Sequence, residues 1–291
     1  MELKYIKKDS DNYETIRHVL RQEFKMSSNL ILKLKKAKLI FLNNEFTYLD
    51  KTINNGDIIS VCLDFNEDNS NIVSTKMNLD ILYEDEGLLI VNKSAEIPVH
   101  PSALHFKDTL SNGVRYYYDK NSINRKIRIV NRLDRNTSGI VIFAKNEYIQ
   151  ERLAYQMKSK EFRKEYIAIC EGYLDNKDGI INAKIDRKDN SIIERCISNN
   201  GQTAITKYNV IKEINNMSEI HIILETGRTH QIRVHMAHIG HPIVGDDLYG
   251  HSSNLINRQA LHAYKVTFKH PISGKKLEIL SDLPDDMKSL I

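Results

Sequence analysis

The sequence predicts a mixed α+β protein with two unequal parts. We expect a small N-terminal α/β domain over residues 1–65, a linker at 66–76, and a larger α+β domain over residues 77–291. Three observations predict this division. Two short helical patterns and two strand patterns come first. The polar stretch "DFNEDNSNIVSTK" then lacks periodicity, which is typical of a linker. Beyond it, strand patterns alternate with turns and a few helical patterns.

Composition excludes some classes of protein. The longest apolar runs, such as "IVIFA", are far too short to span a bilayer. The start, "MELKYIKKDS", has no apolar core, so we expect no secretory signal. The three cysteines are far apart and form no CxxC pair, which favours reduced thiols in the cytoplasm. The formal net charge of +4 permits a nucleic-acid partner without requiring one.

In the N-terminal part, apolar residues recur at helical spacing in "TIRHVLRQEF", and Ser27 or Ser28 is positioned to cap a second helix. The stripe of that second helix is Leu30, Ile31 and Leu34, and its lysines are Lys33, Lys35, Lys36 and Lys38. The strand patterns "LIFLNN" and "NNGDIISVCL" follow. Lysines in this pattern are compatible with a solvated helix face as well as with RNA binding.

The larger part contains several clear elements. Asn146 is expected to cap a helix, and "RKEYIAICEG" alternates as a strand does. A further strand, "EIHIILETG", is expected to end at Gly227. The segment "RTHQIRVHMAHIG" then predicts a helix that Thr229 caps and Gly240 stops.

The stretch "NRLDRNTSG" places one carboxylate, Asp134, between two cations, Arg132 and Arg135. Neighbouring cations favour the charged form of a carboxylate, which suits a nucleophile or base better than a general acid. The simpler alternative is a loop aspartate that caps a turn and pairs with an arginine.

Longer matches favour the chemical interpretation. The segment "VNRLDRNTSGIVIFAK" resembles the catalytic motif of RluA-type pseudouridine synthases, His-Arg-Leu-Asp-Lys/Arg-Asp-Thr-Ser-Gly, with Asn131 and Asn136 as departures. Four more stretches match this family in the expected order, from Asp80 to near the C-terminus. They are "YEDEGLLIVNKSAEIPVHPS", "RKEYIAICEG", "LETGRTHQIRVHMAHIGHPIVGDDLYG" and "LHAYKVTFKHP".

The resemblance implies a large, mixed, mostly antiparallel sheet and the isomerisation of uridine to pseudouridine, without a cofactor. It implies that Asp134 is the nucleophile, that Arg233 pairs with it, and that Tyr166 stacks on the target base. The base must leave its stack before it reacts. By the same resemblance, Arg132 enters the RNA and fills the vacated space. Arg135, Lys164 and Arg228 complete the expected RNA-binding set.

The N-terminal pattern resembles the S-four type of RNA-binding module, first known from a ribosomal small-subunit protein. Its usual Ser-Arg step is Ser28-Asn29 here. The partner implied by both resemblances is structured RNA, with large-subunit rRNA favoured over tRNA. We expect a monomer with no metal and no membrane partner.

Other interpretations remain open at this level. The histidines of "THQIRVHMAHIGH" suggest zinc, but no HExxH pattern or cysteine pair accompanies them, and His235 falls on the apolar face. "GDDLYG" is more typical of a structural loop than of a carboxylate pair. Glu84 and Asp85 could form a glycosidase pair in a sugar-cleaving hydrolase. A non-catalytic RNA-binding protein or RNA chaperone with the same fold is the main rival.

Overall fold

The computed structural model describes residues 1–65, 67 and 69–291. Positions 66 and 68 of the predicted linker lie outside this part of the chain. The linker residues 69–76 form no helix or strand. No helix among the described residues is long and apolar enough to cross a bilayer.

The N-terminal residues form a four-stranded antiparallel sheet with two helices. In chain order the elements are β1 (Glu2–Ile6), α1 (Ile16–His18), α2 (Ser28–Lys36), β2 (Ile40–Leu42), β3 (Glu45–Phe46) and β4 (Ile58–Cys62). The spatial strand order is β1-β4-β2-β3. The predicted cap of α2 is confirmed, because the Ser27 hydroxyl accepts a hydrogen bond from the Leu30 N–H at 3.1 Å.

Two local features of this unit differ from the sequence prediction. The first apolar stripe does not form one α-helix, because α1 ends at His18 and Val19–Glu23 form a π-helical turn. Ile16 at its start is still fully buried. Strand β1 was not predicted, since Leu3 is the one buried residue of its five. Pairing with β4, which is distant in sequence, holds it in the sheet.

Residues from Asp80 onward build a ten-stranded sheet and a separate two-stranded hairpin. The elements are β5 (Asp80–Glu84), β6 (Leu88–Lys93), α3 (Leu110–Lys120), β7 (Arg128–Ile129), β8 (Ser138–Ala144), α4 (Glu147–Lys158), β9 (Arg163–Glu171), β10 (Asp178–Asn182), β11 (Ile185–Arg187), β12 (Arg195–Ile197), β13 (Ile205–Ile214), β14 (Met217–Leu224), α5 (Gln231–His238), β15 (Leu261–Lys269), β16 (Lys276–Leu280) and α6 (Asp285–Lys288). Strand β14, which contains "EIHIIL", therefore ends at Leu224, three residues before the predicted Gly227.

The large sheet has the order β10-β13-β14-β9-β15-β8-β6-β5, with β16 beside β15 and β7 beside β8. Strands β8 and β15 pair in parallel, whereas the other pairings are antiparallel. The predicted fold class, α+β with a large, mixed, mostly antiparallel sheet, is therefore confirmed. The hairpin β11–β12 stands apart from this sheet.

Strands β6 and β8 are buried on both faces, which explains their continuous apolar sequences. Successive side chains of a strand point to opposite faces. Leu88 and Ile90 accordingly lie in a core with α4 and the N-terminal unit. Leu89 and Val91, between and beyond them, lie in a second core with α3. A third core packs α5 against β9, β14 and β15.

The N-terminal unit also contacts α4 through polar groups. The backbone N–H of Ser27 donates to Glu151 Oε2 at 3.2 Å, and Lys33 Nζ lies 2.5 Å from Glu147 Oε2. Side chains of the unit share one apolar core with β6, β8 and α4. Removing the whole unit would therefore expose apolar surface of the remaining chain.

The loop between β7 and β8 is fixed at both ends. The buried Asn131 side chain donates to the carbonyl of Ile140 and accepts from the N–H of Ile142, both at 2.9 Å. At the other end, Gly139 has a φ of +112° and lies against the backbone of Ala263. A β-carbon at this position would stand 2.3 Å from the Ala263 carbonyl oxygen. Only glycine fits this close approach of β8 to β15.

Behind the loop, Lys93 at the end of β6 is 1% exposed. Its ammonium donates to the carbonyls of Ser94 at 2.8 Å and Arg135 at 2.9 Å. Burial lowers its pKa to about 7, assisted by the charge of Arg258 and opposed by the Asp134 carboxylate.

We expect Gly139→Ala to lower the free energy of unfolding by about 3 kcal/mol or more, because it combines backbone strain with a backbone clash. Gly274→Ala is the matched control. Gly274 also has a positive φ, +67°, but nothing lies within 4 Å of the point where a β-carbon would stand. Its cost should be about 1 kcal/mol. Urea unfolding measures both, and equal losses would contradict the close-approach argument.

The stability of wild type relative to Lys93→Met should rise with pH. Between the folded pKa of about 7 and the usual value of 10.5, the unfolded chain holds a proton on Lys93 that the folded chain has lost. Unfolding therefore becomes less favourable as pH rises through this window. From pH 7 to pH 9 the difference in unfolding free energy should grow by about 1–3 kcal/mol. A difference that stays flat in urea unfolding at both pH values would disprove the depressed pKa.

Candidate active site

A cleft of about 550 Å³ opens where the β7–β8 loop meets β9 and α5. It is lined by Ile129, Val130, Asn131, Arg132, Leu133, Asp134, Thr137, Met157, Lys164, Tyr166, Leu224, Gly227, Arg228, Thr229, His230, Gln231, Ile232, Arg233 and Leu261. Six of the seven residues predicted for catalysis or RNA binding are in this set. The seventh, Arg135, is not.

Asp134 presents its carboxylate at the base of the cleft, with its side chain 25% exposed. Arg233 Nη1 lies 3.4 Å from Asp134 Oδ2. His230 Nε2 lies 3.9 Å from the same oxygen. The loop that carries Asp134 turns sharply behind it, because the N–H of Thr137 donates to the Asp134 carbonyl at 3.1 Å. The carboxylate is thus reachable from solvent and faces a guanidinium.

Arg233 is held chiefly by a second carboxylate, Asp246, which is fully buried. Its Nε and Nη2 donate to the two oxygens of Asp246, both at 2.7 Å, in a bidentate pair. Burial alone would lower the pKa of Arg233, but the hydrogen bonds and charge of Asp246, with the charge of Asp134, raise it above its ordinary value. The guanidinium also lies 5.0 Å from the ring centroid of Tyr249.

Asp246 and Tyr249 were not predicted as site residues. Both belong to "GDDLYG", which was interpreted as a structural loop. The N–H groups of Leu248 and Tyr249 do donate to Asp246 Oδ1, each at 3.2 Å, so the loop is structured around this carboxylate. Its second role, to orient Arg233, depends on the packing of the loop against α5. A buried arginine needs a partner, and this was the one signal that could have found it.

The start of α5 corrects one prediction. His230, and not Thr229, is the residue before the first helical turn, and it has a left-handed backbone with φ of +58°. No side-chain hydrogen bond from His230 caps the helix, and the Gln231 side chain accepts from the N–H of Arg228 at 3.0 Å. This conformation points the ring of His230 at the cleft. Gly240, with φ of +86°, follows the helix as predicted.

The surroundings of His230 favour its neutral form. Burial lowers its pKa, and the charge of Arg233 adds to this against the opposing charge of Asp134. Its Nδ1 lies 2.8 Å from the hydroxyl of Tyr249, which in turn accepts from the N–H of Arg195 in β12. Tyr249 therefore links the hairpin β11–β12 to the two side chains beside Asp134, the cationic Arg233 and His230.

Lys164 and Tyr166 lie on the same face of β9, as the strand alternation requires. Burial and the charge of Asp134 raise the pKa of Tyr166 above its ordinary value. Its hydroxyl therefore keeps its proton and is available to donate it. Burial lowers the pKa of Lys164. The buried Tyr166 and the half-buried Lys164 form one wall of the cleft.

The predicted RNA-binding arginines are placed differently from one another. Arg132 and Arg228 are exposed at the rim of the cleft, where Arg228 Nε donates to the Thr203 carbonyl at 3.0 Å. Arg135 points away from the cleft, and its Nε donates to the Glu96 carbonyl at 3.1 Å.

The alternative sites have structural roles. Glu84 pairs with Lys145 at 2.6 Å, and Asp85 accepts from the N–H groups of the turn at Gly87 and Leu88. His235 is a hydrogen-bonded core residue, as predicted: it is fully buried and contacts Thr206 and Ala183, each at 2.9 Å. Within the described part of the chain, no three histidine, cysteine or acidic side chains are arranged to hold a metal ion.

The cleft therefore combines one anionic oxygen with protonated donors. The Asp134 carboxylate suits attack on an electrophilic carbon or removal of a proton. Tyr166 can donate a proton or a hydrogen bond, and Arg233 stabilises negative charge at Asp134. Cations at the rim suit a polyanionic substrate.

Comparison with known proteins gives a consistent result. The sequence profile described as RNA pseudouridylate synthase matches residues 87–238. RNA pseudouridine synthase YhcT of Bacillus subtilis is 40% identical over 276 residues, which are 94% of this chain and 90% of that protein. Ribosomal large subunit pseudouridine synthase D of Neisseria meningitidis is 35% identical over 91% of this chain and 74% of its own length.

Among solved structures, Human RNA Pseudouridylate Synthase Domain Containing 1 superimposes with a TM-score of 0.60 and 26% identity. The match covers 70% of this chain and 83% of the human chain. The resemblance found in the sequence motifs is therefore confirmed. The chain belongs to the family of RNA pseudouridine synthases, isomerases that act on uridines of RNA.

Proposed function

We propose that this protein isomerises specific uridines of large-subunit rRNA, and that Asp134 initiates the reaction on a base flipped into the cleft. The observation that carries the proposal is the single cleft that holds Asp134, Arg233 and Tyr166 in a chain of this family. The relatives named for the ribosomal large subunit favour rRNA over tRNA. The three free cysteines fit the proposed cytoplasmic site of action.

The reaction breaks the bond between N1 of uracil and C1′ of ribose and forms a bond between C5 and C1′. N1 gains a proton, and the proton on C5 is released to solvent, so no redox step or group donor is needed. An ionised carboxylate can begin this sequence by attacking the ring or the sugar, or by removing a sugar proton. Each route needs the negative charge that Arg233 holds next to the substrate.

Binding requires that the base leave its stack. In the proposal, Tyr166 stacks on the flipped base, and this contact contributes about 1–3 kcal/mol. Arg132, exposed at the rim, fills the gap left in the RNA, where its planar guanidinium suits stacking. Arg228 and Lys164 hold phosphates or the base edge. Arg135 lies outside the cleft, so its proposed contact is with RNA beyond the target nucleotide.

The N-terminal unit, residues 1–65, is proposed to bind RNA as its S-four resemblance implies. Lys35, Lys36 and Lys38 are exposed, and no ion pair joins them to another described residue. Lys38 Nζ lies 6.0 Å from the ring centroid of Phe46, and Tyr48 beside it is 67% exposed. Cations with exposed aromatic rings are the pattern that single-stranded or looped RNA binds.

Asp134→Asn should abolish isomerisation, with a loss of at least about 10³-fold in rate, while RNA affinity changes little. Carbodiimide-dependent primer-extension stops on rRNA and tRNA measure this in cells that lack the gene and carry either wild type or the variant. A stop that returns only with wild type identifies the substrate, and its position in rRNA or tRNA decides between them. Restoration by both proteins would favour the RNA-binding or chaperone function.

Replacing Lys35, Lys36 and Lys38 together with glutamine should weaken RNA binding and reduce the slope of log affinity against log salt by about 2–3, if each lysine contacts one phosphate. The control replaces three exposed lysines of the larger domain, Lys177, Lys212 and Lys288, and should leave the slope unchanged. Filter binding at several salt concentrations measures both. Equal slopes for the two triple variants would contradict a role for the N-terminal unit.

A further inference from the structure

Each residue of the segment 136–139, which follows Asp134, contacts a residue of one segment near the C-terminus, 258–263. Arg258 Nη1 donates to the Asn136 carbonyl at 3.3 Å, and Gln259 Nε2 donates to Thr137 Oγ1 at 3.2 Å. Farther along, His262 Nδ1 lies 2.9 Å from Ser138 Oγ. The backbone of Ala263 then packs against Gly139. Residues 258–263 thus stabilise the conformation of residues 136–139 through these contacts.

Among residues 258–263, Arg258 forms the most side-chain hydrogen bonds. It is 5% exposed, and its Nη1 also lies 3.1 Å from the Gln259 carbonyl. Its Nε and Nη2 donate to the carboxylate of Asp286 in α6, at 2.7 and 2.9 Å. One planar guanidinium therefore joins the loop, the start of β15 and the C-terminal helix. The five fixed donors of arginine make this possible, and a lysine has no equivalent geometry.

A second buried basic side chain, Lys93, supports the neighbouring carbonyl. Lys93 donates to the Arg135 carbonyl, one residue before the one that Arg258 holds. Asp286 offsets the charge of Arg258: burial would raise the pKa of this carboxyl, but the hydrogen bonds and charge of Arg258 lower it. The carbonyls of Arg135 and Asn136, which follow Asp134, are thus both fixed by buried basic side chains. Neither of these side chains lines the cleft.

We infer that Arg258, anchored by Asp286, is a positioning residue that sets where the Asp134 carboxylate stands in the cleft. The inference rests on the proposed role of Asp134. The Asn136 carbonyl that Arg258 holds lies inside the turn closed by the hydrogen bond between Thr137 N–H and the Asp134 carbonyl. A shift of this turn moves Asp134 relative to Arg233 and the base. A displacement near 1 Å at a reacting group costs about 10²-fold in rate.

The test compares the chemical step with RNA binding in Arg258→Lys and Asp286→Asn. The probe is an unmodified transcript that carries the mapped target site and tritium at uridine C5, and single-turnover tritium release measures the chemical step. Arg258→Lys keeps the positive charge but loses the planar guanidinium that bonds several groups at once. Asp286→Asn keeps the arginine but removes the carboxylate that pairs with it. We expect release to slow by about 10- to 100-fold with an RNA dissociation constant within twofold of wild type. If Arg258→Lys fails to fold, Asp286→Asn, whose side chain is 43% exposed, carries the test.

Arg128→Lys is the matched control. Arg128 is buried to a similar degree and forms a bidentate ion pair with Glu67, and its hydrogen bonds within the described chain do not involve the loop. Its variant should lose thermal stability without slowing the chemical step. Equal slowing in the Arg128 and Arg258 variants, or loss of RNA affinity in proportion to rate, would overturn the positioning role. If Asp134→Asn itself released tritium at the wild-type rate, the proposed function would fail instead, independently of Arg258.

Discussion

The bidentate ion pair between Arg233 and Asp246 is the interaction on which the site depends. A guanidinium buried to this degree is costly unless its charge is matched and its donors are satisfied. Asp246, fully buried, satisfies Nε and Nη2, so that Nη1 is left to face Asp134. The arginine is therefore held by one carboxylate and presented to another. Asp134 is 25% exposed and so has one fixed cationic neighbour and one side open to substrate.

This arrangement separates the two acidic residues by function. Both lie within hydrogen-bond range of the same guanidinium, but only Asp134 reaches the cleft. Without Asp246, the Arg233 guanidinium could contact water, the Tyr249 ring or Asp134, and no single position of it would be favoured. The neutral His230 and the protonated Tyr166 add donors without adding a competing charge. Asp134 is thus the carboxylate that the cleft exposes to a substrate, as its proposed role requires.

Much of this could be predicted from the sequence. Asp134, Arg233 and Tyr166 lie in long motifs whose order and residues match one family, so their shared cleft followed from the resemblance. Asn146 and Ser27 were predicted as helix caps because capping is local, and a hydrogen bond over three residues can be seen in the sequence.

What the sequence did not reveal depends on contacts between distant segments. Asp246 lies in a glycine-flanked turn, and its pairing with Arg233 appears only when that turn packs on α5. Strand β1 depends on pairing across the N-terminal sheet, since its own residues alternate weakly. A left-handed backbone, as at His230, is uncommon for residues other than glycine, and local propensity favours Thr229 as the cap.

Contacts between distant segments also fix the conformation of the loop between β7 and β8, which carries Asp134. The polar loop "LDRNTS" has one local turn bond, from the Thr137 N–H to the Asp134 carbonyl, and the side chains of Arg132 and Arg135 beside Asp134 are exposed. Its conformation is fixed by other segments: β8 pairs in parallel with β15, and the buried Lys93 and Arg258 donate hydrogen bonds to its carbonyls. Strands β6 and β8, buried on both faces, make that frame rigid. Asp134 can then lie on a polar, accessible loop and still have a defined position, because the sheet beneath the loop fixes the backbone on either side of it.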